Sequence, residues 1–385
     1  WPSWSLVNGL RVDYLSPTLY LTDILILAQI IISHYRIKVP LWAIVFAAIN
    51  ILVSPSPNIA IYKWLRLLEY FWLYKYLTIN FHYSLSTIHY PLSASIIWTS
   101  LLAWGQFFKQ ASIGGWLYWL GERRFDITTP GIAKIALNGQ LLLRPYATLP
   151  HPNALAGFLL VGGLIIYYLN SQKKVVIARP ERSRRGHWSL VIAALTVPVT
   201  FSRTAIILEL ALLGLWLFSK LKVGRRYLIL FLLPLLTIYY LLFTNLGNPS
   251  SFSERLFLLQ KSRALIKNHP LVGVGLGNFI PSSYPLVPSP YSLTLQPVHN
   301  IFLLLTSELG LPIAIVVFYL IIVKLKNLLV IARPEQGRRG NWPLVIPVAT
   351  VLAIGMVDHY WLTLHQNTLL LVVLAAIIYK HSTND

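Results

Sequence analysis

Pro297-Val298-His299-Asn300 opens directly into Ile301–Val323, IFLLLTSELGLPIAIVVFYLIIV, an apolar run whose only charged side chain is Glu308. About 20 such residues let a helix cross hydrocarbon, so the stretch predicts a membrane span over 299–323 with an imidazole at its mouth. Chemistry on a lipid-borne substrate needs an ionisable group at that place. Two further polar knots stand at predicted helix mouths: Arg144-Pro-Tyr-Ala-Thr-Leu-Pro-His151-Pro152-Asn153 and Thr200-Phe-Ser202-Arg203-Thr204.

The whole composition agrees with that run. Of 385 residues, 56% are hydrophobic and 11% charged, with a mean hydropathy of +0.62; soluble domains carry roughly 25% charged residues. The pattern predicts an all-α polytopic bundle, residues 1–385 forming one integral membrane domain in the lipid bilayer. Cysteine is absent, which excludes a disulfide framework and a thiolate metal site. The net charge of +20 does not point to nucleic acid, because the basic residues punctuate apolar runs instead of gathering on a recognition module.

Apolar stretches run over 18–35, 39–54, 59–79, 88–108, 154–170, 188–201, 203–219, 227–243, 299–323, 343–358 and 361–380, about eleven spans, some short enough to be half-spans. The only methionine is Met356, so an upstream span is expected, giving about twelve. Lys and Arg in short loops stay cytoplasmic, which assigns 171–187 and 324–342, with Arg36–Lys38 and Lys220–Arg226, to that side. The run 188–219 decides the parity: two short helices meeting near Ser202-Arg203 keep Lys220–Arg226 inside. Loops 109–153 and 244–298 then face outward with all three polar knots. VVIARPERSRRGHWSLVI (175–192) nearly repeats LVIARPEQGRRGNWPLVI (329–346), as two cytoplasmic loops permit; it reads as a duplicated insertion or as an anionic-lipid contact.

The outer loop 244–298 has two halves. SFSERLFLLQKSRALIKNHP (251–270) spaces apolar residues helically between Arg255, Lys261, Arg263 and Lys267, predicting an amphipathic helix on the membrane surface. IPSSYPLVPSPYSLTLQP (280–297) is too proline-rich for helix or sheet and predicts an extended flap.

At the knots, His299 as the first helical residue would feel the positive dipole end, which favours a neutral, proton-accepting imidazole, with Asn300 beside it as a substrate contact. Ser202 is a good N-cap, and Arg203 at the start of the next helix adds a guanidinium to free amides, an arrangement that holds phosphate. The alternative for Arg203 is a lipid anchor or a pair with Glu209. Arg144 offers a second anion fork, Asn153 caps the helix starting at Ala154, and His151 belongs to the turn. Gly273-Val-Gly-Leu-Gly277 lacks a βαβ setting for a dinucleotide and reads as a tight turn whose amides could approach an anion. Glu308 falls on the face opposite His299 unless Pro312 kinks the helix. Asp358 and His359, at another outer helix end, orient substrate or are simply solvated. No cluster has metal-ligand spacing, so metal-independent chemistry without a cofactor is expected.

Four motifs in order together resemble the O-antigen ligase superfamily: the arginine upstream of HPN (151–153), SR (202–203), NHPLVGVGLGNF (268–279) and VHNIFLLLTSELG (298–310). The likeness is clearest between Arg144 and Gly310 and frames a core of about 144–325. It implies a C-type glycosyltransferase architecture that moves a glycan from an undecaprenyl diphosphate carrier to a glycan, lipid or protein acceptor. The place implied is the outer face of the cytoplasmic membrane. In that picture His299 matches the base that activates the acceptor hydroxyl, and Arg203, assisted by Arg144, matches the stabiliser of the leaving diphosphate. Arg255 and Arg263 lie in the loop whose basic residues hold the donor, and attack opposite the diphosphate inverts the anomeric centre. A polymerase acting on lipid-linked repeat units is the alternative within this chemistry. A polysaccharide transporter or flippase is the alternative outside it, disfavoured because the charges sit at helix ends and the repeat lies in loops.

Overall fold

The computed structural model describes residues 3–7, 10–80, 86–137, 139–173, 180–221, 249–283, 295–331 and 342–383. They are mostly helical, as expected. The helices are α1 (Leu21–Ser33), α2 (Leu41–Leu52), α3 (Pro57–Asn80), α4 (Ser86–Lys109), α5 (Pro152–Lys173), α6 (Pro180–Thr196) and α7 (Arg203–Leu221). There follow α8 (Pro249–Asn268), α9 (Phe279–Ser283), α10 (Ile301–Ile331), α11 (Trp342–Gly355), α12 (Tyr360–Thr363) and α13 (His365–Thr383). Two antiparallel hairpins complete the described chain, β1 (Leu6–Val7) with β2 (Leu10–Arg11), and β3 (Lys134–Leu137) with β4 (Gln140–Leu143). The predicted span 227–243 and most of the proline-rich stretch lie outside the described residues.

Among the described residues, Pro152–Ser171 and Ile301–Leu328 are the two helices long and apolar enough to cross a membrane; Leu21–Ser33, Leu41–Leu52, Trp188–Thr200 and Leu344–Gly355 are shorter apolar helices. This is fewer than the sequence count. The difference has a chemical cause in α3, where Lys63, Arg66, Glu69 and Lys75 interrupt a helix of ample length.

The chain forms two compact units, one of Trp1–His82, Pro249–Asn341 and Gly355–Asp385, the other of Tyr83–Asn248 and Trp342–Ile354. In the first, Leu258 and Leu265 of α8 enter a core with Val12, Leu15, Ile59, Val274, Phe279, Ile280, Val298 and Leu304. The hydroxyls of Ser262 and Ser307 meet at 2.9 Å in the same seam. The predicted amphipathic helix therefore forms, and Leu258 and Leu265 on its apolar side pack against α10. The short α9 also takes Ile280–Ser283 from the predicted flap, with Pro281 inside its first turn, where a missing amide costs nothing.

The same unit buries an ionic network. Arg66 of α3 pairs with Asp23 of α1 and, at 3.0 Å, with Glu69. His365 of α13 lies 3.3 Å from Asp23 through Nε2 and 2.7 Å from the Tyr70 hydroxyl through Nδ1. Charges between apolar helices are costly unless partnered, so this pairing selects one arrangement of α1, α3 and α13.

α10 breaks at Gly310 (φ 81, ψ 167), two residues before Pro312. The break removes the helical partners of Ser307 O and Glu308 O, because the Leu311 amide turns to Pro270 O at 2.7 Å and Pro312 has none. Val274 N and Gly275 N fill those carbonyls at 2.9 and 3.1 Å. Asn50 of α2 locks the junction: its Nδ2 donates to Val272 O and Glu308 O, while its Oδ1 accepts from Leu276 N and Trp64 Nε1, all at 2.9 Å. The glycine run thus spends its amides on the protein. Phe279 N adds a 3.4 Å bond to the Glu308 carboxylate, and the expected approach of an anion to these amides is corrected.

In the second unit α4, α5 and α6 pack together. Gly162 of α5 admits Ile96 of α4, whose Cδ1 would lie 3.2 Å from an added Cβ, the close approach that small residues give membrane helices. The predicted loop 109–153 is an ordered structure. Glu122 accepts from Gln106 Nε2, Ile113 N and Gly114 N at 3.0, 2.6 and 2.7 Å, and Gln106 Oε1 accepts from Tyr146 N and Ala147 N at 3.0 and 2.8 Å.

Candidate active site

In the second unit the β3–β4 hairpin delivers Arg144. Gln110 Oε1 accepts from Leu143 N at 2.7 Å, and Arg144 N bonds Ala133 O at 3.1 Å, so the backbone is fixed as it leaves the strand. The guanidinium then reaches two ways, Nε to Thr200 O at 2.9 Å and Nη2 to Asn153 Oδ1 at 2.6 Å. Two of the sequence knots are one structural cluster. Asn153 is not the cap expected: α5 starts at Pro152, and His151 Nδ1 accepts from Asn153 N at 3.1 Å, which leaves the Asn153 side chain to orient Arg144.

α6 and α7 are separate helices, as the parity argument required. A 3-10 turn, Pro198–Thr200, ends at Phe201 in the left-handed region (φ 52), and α7 opens at Arg203. Ser202 stands at the N-cap position, where its carbonyl accepts from Ile206 N at 2.9 Å. Its hydroxyl makes no capping bond among the described residues; Thr200 Oγ1 accepts from Ser202 N at 3.2 Å instead. Glu209 is buried on α7, 7% exposed. The α7 amides, its dipole and the half-buried Arg203 give a place suited to an anion. Arg123, which the sequence did not single out, is a further cation of this loop, with Nη1 3.4 Å from Pro150 O.

In the first unit Asn300, not His299, caps α10. Asn300 Oδ1 accepts from Phe302 N and Leu303 N at 3.0 and 2.9 Å, and its Nδ2 donates to Met356 O at 3.0 Å. The amide expected to touch substrate therefore holds the turn, and His299 sits one residue outside the helix, half-buried. Its neighbour Val298 is 0% exposed, anchoring the backbone beneath the ring.

The bond to Met356 brings the turn between α11 and α12 to His299. The rings of His299 and His359 stand edge to face, centroids 5.1 Å apart, and Tyr14 meets His359 from another side at 5.3 Å. His359 N donates to Asp358 Oδ1 at 2.8 Å. Through one polar atom each, His299, Asp358 and His359 all lie within 4.8 Å of one another, a cluster that sequence distance concealed. By composition it could receive a divalent cation, but a His299 nitrogen given to a metal cannot also accept a proton. Burial holds His359 below the usual histidine range and Arg255 of α8 adds to the effect, against the opposing pull of Asp358. Arg255 is thus electrostatically part of this cluster. Arg263 is exposed on α8 and makes no hydrogen bond or ion pair with the described residues. Buried Lys261, its amine 4.5 Å over the Phe257 ring, has a proton affinity lowered by burial.

Apolar helices that carry cations and an imidazole at their ends define a membrane glycosyltransferase-type enzyme once the segment holding them is assigned. That segment is similar to a known family: residues 188–319 match the family described as O-antigen ligase. A search of curated proteins finds no match. Ser202, Arg203, Arg255, Arg263, His299 and Asn300 fall within the matched segment; Arg144, Asn153, Asp358 and His359 lie outside it.

Proposed function

We propose that the protein transfers a glycan from undecaprenyl diphosphate to an acceptor hydroxyl at the outer face of the cytoplasmic membrane, without a metal. The observation that carries this reading is His299, held half-exposed by a capped helix beside the buried Asp358–His359 pair, inside the O-antigen ligase segment. The acceptor O–H gives its proton to a His299 nitrogen, and the oxygen bonds to the anomeric carbon. The bond from that carbon to the diphosphate oxygen breaks, and the diphosphate leaves with the electron pair. Arg203, the first α7 amides and Arg144, oriented by Asn153, offset the developing charge. Arg255 and Arg263 hold the donor from α8.

Membranes containing the protein, given labelled undecaprenyl diphosphate-linked glycan, test this directly. His299→Ala is expected to slow transfer roughly 100- to 10,000-fold; a folded variant with the parent rate overturns the reading. One addition to a separate acceptor identifies ligase-type transfer, whereas a product ladder without that acceptor identifies polymerase-type transfer.

A further inference from the structure

We propose that His359 is a positioning residue for His299, an inference that rests on His299 being the base. Thr363 Oγ1 lies 3.2 Å from His359 O and 2.8 Å from His359 Nδ1; with the hydroxyl hydrogen given to the carbonyl, the ring is the donor through Nδ1. In that arrangement Nδ1 carries hydrogen and Nε2 presents a lone pair towards the cluster. Tyr14 and His299 pack against the ring edge to face, so it cannot turn without displacing one of them. Arg255, the charge that faces it from α8, favours the neutral ring, while Asp358 supplies the negative charge within the cluster.

The consequence is a defined partner for His299. A neutral imidazole of that tautomer and a carboxylate flank the base, set its ring plane and accommodate the positive charge that arrives with the acceptor proton. His359 touches no reacting atom in this scheme; it acts through His299.

The test is transfer of labelled undecaprenyl diphosphate-linked glycan by membranes carrying single and double variants, with folding checked by detergent gel filtration. His359→Phe, which keeps the aromatic packing, is expected to lower kcat about 10- to 100-fold and change KM by less than about 2-fold, a smaller loss than removal of a base. His359→Gln, which restores an acceptor, is expected to recover most of that loss. Thr363→Val, which frees the tautomer without touching the ring, is expected to cost about 3- to 10-fold. In a His299→Ala background His359→Phe is expected to have no further effect, because residues acting as one unit are not additive. An undiminished effect in that background, or unchanged kcat in both His359→Phe and Thr363→Val, overturns the proposal. A parent rate in His299→Ala ends the underlying reading instead, and loss of transfer on chelation, restored by added zinc, replaces the positioning role with a metal.

Discussion

Single side chains here do work that their neighbours decide. Arg144 is an anion fork in composition, yet its Nε and one Nη are committed to Thr200 O and Asn153, so it braces the turn from which Arg203 projects. In the proposed reaction Arg203 makes the direct contact with the diphosphate, where planarity should matter as well as charge. Arg203→Lys is expected to lose transfer nearly as severely as Arg203→Ala, on the order of 100-fold for removal of a transition-state donor; a lysine variant at the parent rate refutes bidentate binding. His359 gives a stability test. Its folded proton affinity is depressed, whereas the unfolded imidazole protonates near about pH 6.5. Below that value the unfolded chain binds the extra proton, so stability is full above it and falls as pH drops towards the folded pKa. The thermal midpoint in detergent is expected to decline on acidification from about pH 7.5 to 5.5, and less so in His359→Asn; equal slopes contradict the depressed affinity.

At the level of elements, the junction of α10 with the 270–279 loop is the most tightly specified piece of the first unit. Gly273 and Gly310 both have positive φ, 73° and 81°, and a Cβ on either would overlap the opposite backbone, lying 2.6 Å from Leu309 N and 2.8 Å from Val272 N respectively. Gly310→Ala is expected to cost at least about 2 kcal/mol from backbone strain alone, read as a lower thermal midpoint with reduced transfer. A neutral result would mean that α10 can straighten. The helix boundaries at Ser202 and Asn300 were legible because polar residues precede apolar runs there. The roles of the caps were less so: Asn153 and Asn300 have the same side chain, but His151 displaced the first from its cap, and only distant acceptors reveal such an exchange.

For the whole molecule, sequence pattern sufficed for the helical class and the family segment, because hydropathy and four local motifs are short-range signals. It did not reach the Asp23–Arg66–His365 network or the cluster of His299, Asp358 and His359, since both join residues from opposite parts of the chain. The glycine run misled for the same reason: its amide acceptors belong to Asn50 and α10. The proposed single displacement inverts the anomeric centre, so the product linkage is expected to have the anomeric configuration opposite to the donor's. Retention in the product excludes the one-step scheme. Transfer is likewise expected to persist in excess chelator.

Helix interruptions at membrane depth ordinarily invite solvent, because an opened carbonyl must find a donor. At Gly310 the two opened carbonyls and the stranded Leu311 amide are taken by Val274, Gly275 and Pro270. The discontinuity in α10 is therefore sealed by backbone pairing: it can turn the segment bearing the imidazole without leaving these carbonyls and the Leu311 amide open.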